Sequence, residues 1–510
     1  MSAHSSNGVL PQSYTRLWAG WLAIIFGLVG AATVLAFSLD VRTAVGLLTL
    51  ALSLCLLAIR LEAAVYGIVA VTVILVDGWL INRVVDDVPF RMGLGRLYLM
   101  EIPIFLLFLG YLYRRYNSNT PKAKAFVSTP LDLPLKAWLL AFPVFAVYGL
   151  LLGHPVQDAV GYNEWRCLFI AIVFYFLVTS LFRKYSDLHR LWSWFFLLTT
   201  AKAFYSLFVA ITKISPPLPL VFGQGPVGEG PENVMYLFAA LPALAILLFH
   251  LEKDRAKRAI LFFGSLTMVA DVALSEKRDP QLALLIGLAV LAWHLPRPQK
   301  VQWAVRIGCV ALFMAVSGFL SNLGSGRSPI DASISRYNDI LDFIASPTAN
   351  PAEGSTFGFH VFDMIDGWEK IKERPILGQG FGGQTERHLT LLPIAWGGDI
   401  DTGVIHNQYL TFWLKMGITG PVLFLWLAGT FFYVCRRAVR RAPQTYGLAV
   451  VLGFCAAMWA EMAMEVWTAG LVGNTKTPIV VFLALALSVG FIMDNKLRTD
   501  QRARGPESVA

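Results

Sequence analysis

The sequence predicts an all-α polytopic integral membrane protein, with about 12–14 transmembrane helices and one large extracytoplasmic loop carrying amphipathic helices. Three observations carry that expectation. Of 510 residues, 56% are hydrophobic and only 15% charged, with a mean hydropathy of +0.59, too apolar for a soluble domain. The apolar residues fall in runs of roughly 20, the length at which a helix satisfies its own backbone across the lipid interior. The basic residues gather in short clusters between these runs, in register with every second connection.

The runs lie near 17–39, 43–59, 63–82, 97–113, 135–152, 165–182, 188–212, 232–250, 257–274, 281–295, 301–320, 407–434, 446–470 and 477–494. The first is longer than a signal-peptide core and has no small-residue cleavage pattern, so it is expected to remain as a membrane helix. The run at 281–295 is short and has room to extend outward through Pro280. Cys55, Cys167, Cys309, Cys435 and Cys455 all sit in apolar runs without CxxC spacing or neighbouring histidines, as packing residues do.

The clusters at Arg114, Arg115, Lys122 and Lys124, at Arg183, Lys184 and Arg190, at Lys253 to Arg258, and at Arg436 to Arg441 mark the cytoplasmic side. The net charge of +9 then reflects topology, with no need for a nucleic-acid partner. Both termini fall on that side. The resulting organisation is an N-terminal bundle over 1–320, an extracytoplasmic loop or lid over 321–405, C-terminal membrane helices over 406–495, and a disordered tail over 496–510. Within the loop, Ile334, Tyr337, Leu341 and Ile344 share one helical face, and so do Val361, Met364, Ile365, Trp368 and Ile371, with Pro375 as a stop. Such helices lie on the protein body or at the lipid interface.

His406 stands where the outer loop re-enters the membrane, followed by Asn407 and an apolar stretch in which Gly417 and Gly420 permit either a break or a close helix contact. Imidazole exchanges a proton near neutral pH, so His406 is either a general base or an interfacial cap. Lys277 and Arg278 occupy a short turn on the outer side, where topology predicts few basic residues. Guanidinium binds phosphate through paired hydrogen bonds, so Arg278 is a candidate diphosphate ligand, the other reading being an ion pair with Glu276 or Asp279. Arg336, on the first loop helix, is a second candidate. Arg166 opens a membrane helix on the outer side and Lys202 lies within another, extending the basic lining. Glu101, Asp271, Glu461 and Glu465 lie within apolar runs and need partners. The spacing of Glu461 and Glu465 puts them on one helix face, where they could support arginines, hold a cation or relay protons. Gly378, Gly380, Gly382 and Gly383 look like a phosphate loop, yet no strand precedes them and they face away from nucleotides. They are read as a turn ending a helix, with backbone amides able to meet an anion.

These motifs resemble the O-antigen ligase and polymerase superfamily of bacterial polytopic membrane proteins. The resemblance rests on Glu373-Arg-Pro-Ile-Leu-Gly-Gln-Gly380, His406-Asn-Gln-Tyr-Leu410 and Lys415-Met-Gly-Ile-Thr-Gly-Pro-Val-Leu-Phe424, with weaker echoes in Ser275-Glu-Lys-Arg278 and Gly230-Pro-Glu-Asn233. It implies a membrane glycosyltransferase of the bacterial inner membrane whose site faces the periplasm. The donor would be a polyprenyl-diphosphate-linked glycan and the acceptor a glycan or a lipid-A-core-like molecule. No cofactor, metal or nucleotide sugar is implied, and other polysaccharide-assembly proteins are implied as partners. His406 matches the family's acceptor-activating histidine and Arg278 one of its diphosphate-binding arginines. Where the family often carries a second arginine, this chain has His360, which leaves that contact to Arg336, His360, Arg374 or Arg387. The alternative is a transporter or flippase for a lipid-linked oligosaccharide, with Lys202, Asp271, Glu461 and Glu465 coupling ion movement to substrate. A peptidoglycan-polymerising glycosyltransferase fits the His-Asn motif less well.

Overall fold

The computed structural model describes residues 60–74, 100–117, 127–212, 230–274, 278–294, 356–385, 403–441, 445–473 and 476–503. In chain order the helices are α1 Leu61–Ile74, α2 Glu101–Asn117, α3 Asp132–Leu151, α4 Val156–Ala159, a π-helical turn Tyr162–Arg166, α5 Cys167–Leu181, α6 Tyr185–Thr212, α7 Gly230–Leu248 and α8 Arg255–Leu274. They continue as α9 Arg278–Trp293, α10 Thr356–Glu373, α11 Gln408–Met416, α12 Thr419–Arg441, α13 Tyr446–Met464, α14 Gly470–Gly473 and α15 Lys476–Ala503. Among the described residues there is no strand, and five helical stretches are long and apolar enough to cross a membrane. The protein is an all-α polytopic membrane protein.

The runs at 17–39, 43–59 and 301–320, the loop helix around 334–344, and the candidates Lys277, Arg336 and Arg387 fall outside the described residues. The short run at 281–295 does extend outward, since α9 starts at Arg278 and takes Pro280 into its first turn, where a missing N–H costs nothing. The single run expected over 407–434 is divided into α11 and α12 by a turn at Gly417. Gly417 has φ of +57°, and a Cβ there would stand 1.9 Å from the Ile376 carbonyl oxygen, so only glycine allows this break. At the C-terminus α15 continues as helix to Ala503, past residue 496 where a disordered tail was expected.

The bundle is organised around α13 and α15, which pack on each other and on α7, while α13 also packs on α9 and α15 on α5. About four-fifths of each central span is buried (83% and 78%), against 33% for α12, whose remaining face is left for lipid. The backbone of α13 approaches α7 closely because a Cβ at Gly453 would overlap Pro242. Consecutive spans run in opposite directions, so one end of the bundle collects Arg114, Arg183, Lys184, Arg258, Arg436 and Arg437. The opposite end collects Glu101, Arg166, Glu232, the start of α9, the end of α13 and the start of α15. Ion pairs tie each end: Arg114 to Glu62 at the basic end, and Arg166 to Glu101 at the other. The histidine turn and the glycine-rich turn sit at the second end, called the site end below.

Candidate functional site

His406 occupies an extended turn between two fixed points. On one side Ile405 is fully buried against Gly367 of α10 and its N–H donates to the Thr411 hydroxyl at 3.1 Å. On the other, Asn407 is the N-cap of α11, its side-chain oxygen accepting from the Leu410 N–H at 2.9 Å while its amide donates to the Val466 carbonyl at 2.9 Å. One residue thus starts α11 and staples it to the end of α13. The next residue repeats the attachment, since the Gln408 N–H donates to the Glu465 carbonyl at 2.8 Å.

The imidazole is oriented by a residue that sequence reasoning passed over. Asp363 of α10, 1% exposed at its side chain, takes the His406 backbone N–H at 2.6 Å and lies 2.9 Å from Nδ1 through the same oxygen, Oδ2. A carboxylate can only accept, so Nδ1 donates to Asp363, and in the neutral ring Nε2 is then the acceptor. The His406 side chain is 38% exposed, enough for a solute to reach it. His360, one turn before Asp363 on α10, packs edge-on against the His406 ring with centroids 4.5 Å apart. His360, a candidate from the sequence, is therefore adjacent to His406.

The glycine-rich turn is bound to the body by a buried ion pair. Gly378, Gly380 and Gly382 have φ of +70°, +74° and +87°, and Gly380 lies so close to Gly149 of α3 that a Cβ would be 2.5 Å from its Cα. Lys415 of α11 donates through Nζ to Glu164 of the π turn and to the Gly383 carbonyl, both at 2.6 Å. Glu164 uses its other oxygen to accept the Gly382 N–H at 2.9 Å. The amides of Gly378, Gln379, Phe381 and Gly383 donate to the carbonyls of Arg374, Leu414, Phe145 and Gly380. This corrects the expectation of an anion cradle: these amides are spent on positioning the turn.

The remaining candidates share the site end. Arg166 holds Glu101 through both carboxylate oxygens, the Nε contact being 2.8 Å, and donates to the Val160 carbonyl at 3.3 Å. Glu101 thereby has its partner. Glu465, fully buried, accepts the Gly470 N–H at 2.9 Å and lies one turn from Glu461, which Asp279 of α9 faces electrostatically. Lys202 and Lys476, both buried, converge on Glu232 at 3.2 and 3.8 Å. Arg278 is the first residue of α9, and its side chain lies outside the described part of the structure. Contacts from Asp279 through Glu461 and Glu465 to Gln408 place the start of α9 on the same end as His406. Among the described residues no cluster of three histidine, cysteine or acidic side chains is arranged to hold a metal.

Asp363, Lys415 and Glu164 are the candidate-site residues the sequence did not disclose. For Asp363 a signal existed: it follows His360 by three, on the same face of a helix whose apolar positions were already assigned. For Lys415 and Glu164, 251 positions apart, no local pattern exists.

No curated protein matches the chain. A family model described as Wzy_C, O-Antigen ligase, matches residues 263–425, a segment that includes the start of α9, the Asp363–His406 pair, the glycine-rich turn and Lys415. Over 263–425 the chain is therefore similar to the O-antigen ligase family, in line with the resemblance carried by its motifs.

Proposed function

We propose that the protein transfers a glycan from a polyprenyl-diphosphate carrier to an acceptor hydroxyl at the periplasmic face of the bacterial inner membrane, as an O-antigen ligase or polysaccharide polymerase. The observation that carries this reading is the Asp363–His406 pair at the end of the bundle opposite the basic clusters. The acceptor O–H gives its proton to Nε2 of His406, and the oxygen attacks the anomeric carbon. Asp363 keeps the other ring nitrogen protonated and stabilises the imidazolium that forms. The bond from the anomeric carbon to the carrier breaks with its electron pair left on the diphosphate, and attack from the opposite face inverts the carbon. Positive charge facing the departing oxygens lowers this barrier most, which is the role assigned to Arg278, with Arg336 and His360 as further contacts and Lys277 beside them. Arg166, Asn407, Gly378, Gly380, Glu461 and Glu465 act as supports: each holds a helix end or turn that carries the site.

A flippase would line both leaflets with polar groups. Among the described residues the buried charged side chains other than Asp132 lie at the site end, which favours the transferase. Membranes carrying His406→Ala or Arg278→Ala protein test the reading. The expected result is loss of transferred product by on the order of 10²-fold or more, with lipid-linked precursor accumulating on the outer leaflet. Normal product from both variants at normal expression refutes it, and precursor retained on the cytosolic leaflet instead supports the flippase.

A further inference from the structure

We propose that α10 and the two turns beside it form a seat in the lipid leaflet at the site end, with phospholipid acyl chains as the partner. The inference requires only that the bundle spans a membrane, not that the transferase reading is right.

The surface is held together by direct contacts. Trp368 of α10 meets Trp413 of α11 edge-on at 5.5 Å, and the Trp413 indole donates to the Pro375 carbonyl at 2.8 Å. The same carbonyl accepts the Ile418 N–H at 3.2 Å. Next to it Ile376 and Leu377 are 70% and 54% exposed, and Ile365, Trp368 and Ile418 are also exposed. One turn on from Ile418, Val422 continues the surface into α12, where Leu425 and Trp426 are exposed as well.

That continuity identifies the occupant. α12 is a membrane-length helix only one-third buried, so its exposed apolar face borders lipid, and the patch extends that border without interruption. Ile376 and Leu377 stand at a turn in which the Gly378 N–H donates to the Arg374 carbonyl and the Pro375 carbonyl accepts twice. Those paired groups can enter an apolar phase at small cost. Lys372, two turns along α10 from Ile365, pairs with Glu369 at 2.6 Å at the edge of the patch, where a lysine stem can lie on lipid and its ammonium in the headgroups.

The seat bears on the site because α10 carries both it and Asp363. Five residues, about 7.5 Å along the helix axis, separate Asp363 from Trp368. The depth at which the patch rests in the leaflet thus sets the height of the imidazole relative to the headgroups.

Full-length wild-type protein in liposomes containing a phosphatidylcholine with a diazirine on its acyl chain gives the test. After photolysis, the peptide holding Ile376 and Leu377 should carry lipid adducts at a yield within about threefold of the α12 peptide holding Val422 and Leu425, which serves as the internal positive standard. In parallel, bimane on Leu377→Cys should be quenched at least about fivefold more by phosphatidylcholine with a shallow doxyl label than by aqueous iodide, and on Glu373→Cys the order should reverse. Absence of adducts on the 376–377 peptide while the α12 peptide is labelled overturns the proposal. So does iodide quenching at Leu377→Cys equal to that at Glu373→Cys, which would mean water, and so does protection from both quenchers, which would mean cover by protein.

Discussion

One carboxylate oxygen of Asp363 accepts from both the backbone and the ring of His406, so the direction of the imidazole and its tautomer are fixed before any substrate arrives. Replacing that acceptor by an amide removes the preference for a hydrogen on Nδ1 while leaving the volume unchanged. Asp363→Asn is expected to lower kcat by on the order of 10²-fold with KM for the donor nearly unchanged, and Asp363→Glu to recover part of the loss. Steady-state transfer in membranes measures both. A purely structural role would move expression and KM instead and show no rescue. His406 was legible from sequence because it stands where a polar loop meets an apolar run, next to a good N-cap residue. Asp363 was not, because on a helix read for its apolar stripe an acidic residue counts as solvated, and only the packing of α10 on α11 shows it buried.

At the scale of elements, the glycine-rich turn, α3, the π turn and α11 meet through Lys415 and Glu164, whose side chains are 2% and 11% exposed. Removing one member of a buried pair strands the other charge, at a cost of about 3–5 kcal/mol. Lys415→Met should therefore lower the thermal midpoint of the purified protein in detergent markedly, whereas Lys415→Met combined with Glu164→Gln should regain most of it, since glutamine still accepts the Gly382 N–H. Calorimetry of the four proteins of this cycle measures the coupling, and equal losses in the single and double variants would count against the pair as the staple. Gly417 and Gly420 left a break or a close helix contact open within one expected run, so the division into α11 and α12 was only partly legible, whereas α10 followed from its apolar spacing ending at Pro375. The docking of the turn could not be foreseen, since it depends on Gly149 and Glu164, which lie far away in the chain and belong to no motif.

Across the whole molecule, the positions of lysine and arginine foretold the alternation of helices, because each charged cluster must stay at a membrane surface while apolar runs cross. The described helices keep that register: the clusters at Arg114, Arg183, Arg258 and Arg436 gather at one end and the Asp363–His406 pair at the other. What the pattern of charges cannot convey is the internal order of the bundle, with α13 and α15 central and α12 outside, since all three are long and apolar enough to cross a membrane. The chemistry proposed here requires the site end to face the exterior, where lipid-linked glycans are presented. The most direct measurement is therefore the accessibility of a cysteine at position 406, introduced as His406→Cys, to a membrane-impermeant maleimide applied to intact cells and to inverted vesicles. Labelling in intact cells, with little in inverted vesicles, is expected; labelling only in inverted vesicles would put position 406 on the cytosolic side, where the proposed transfer could not occur.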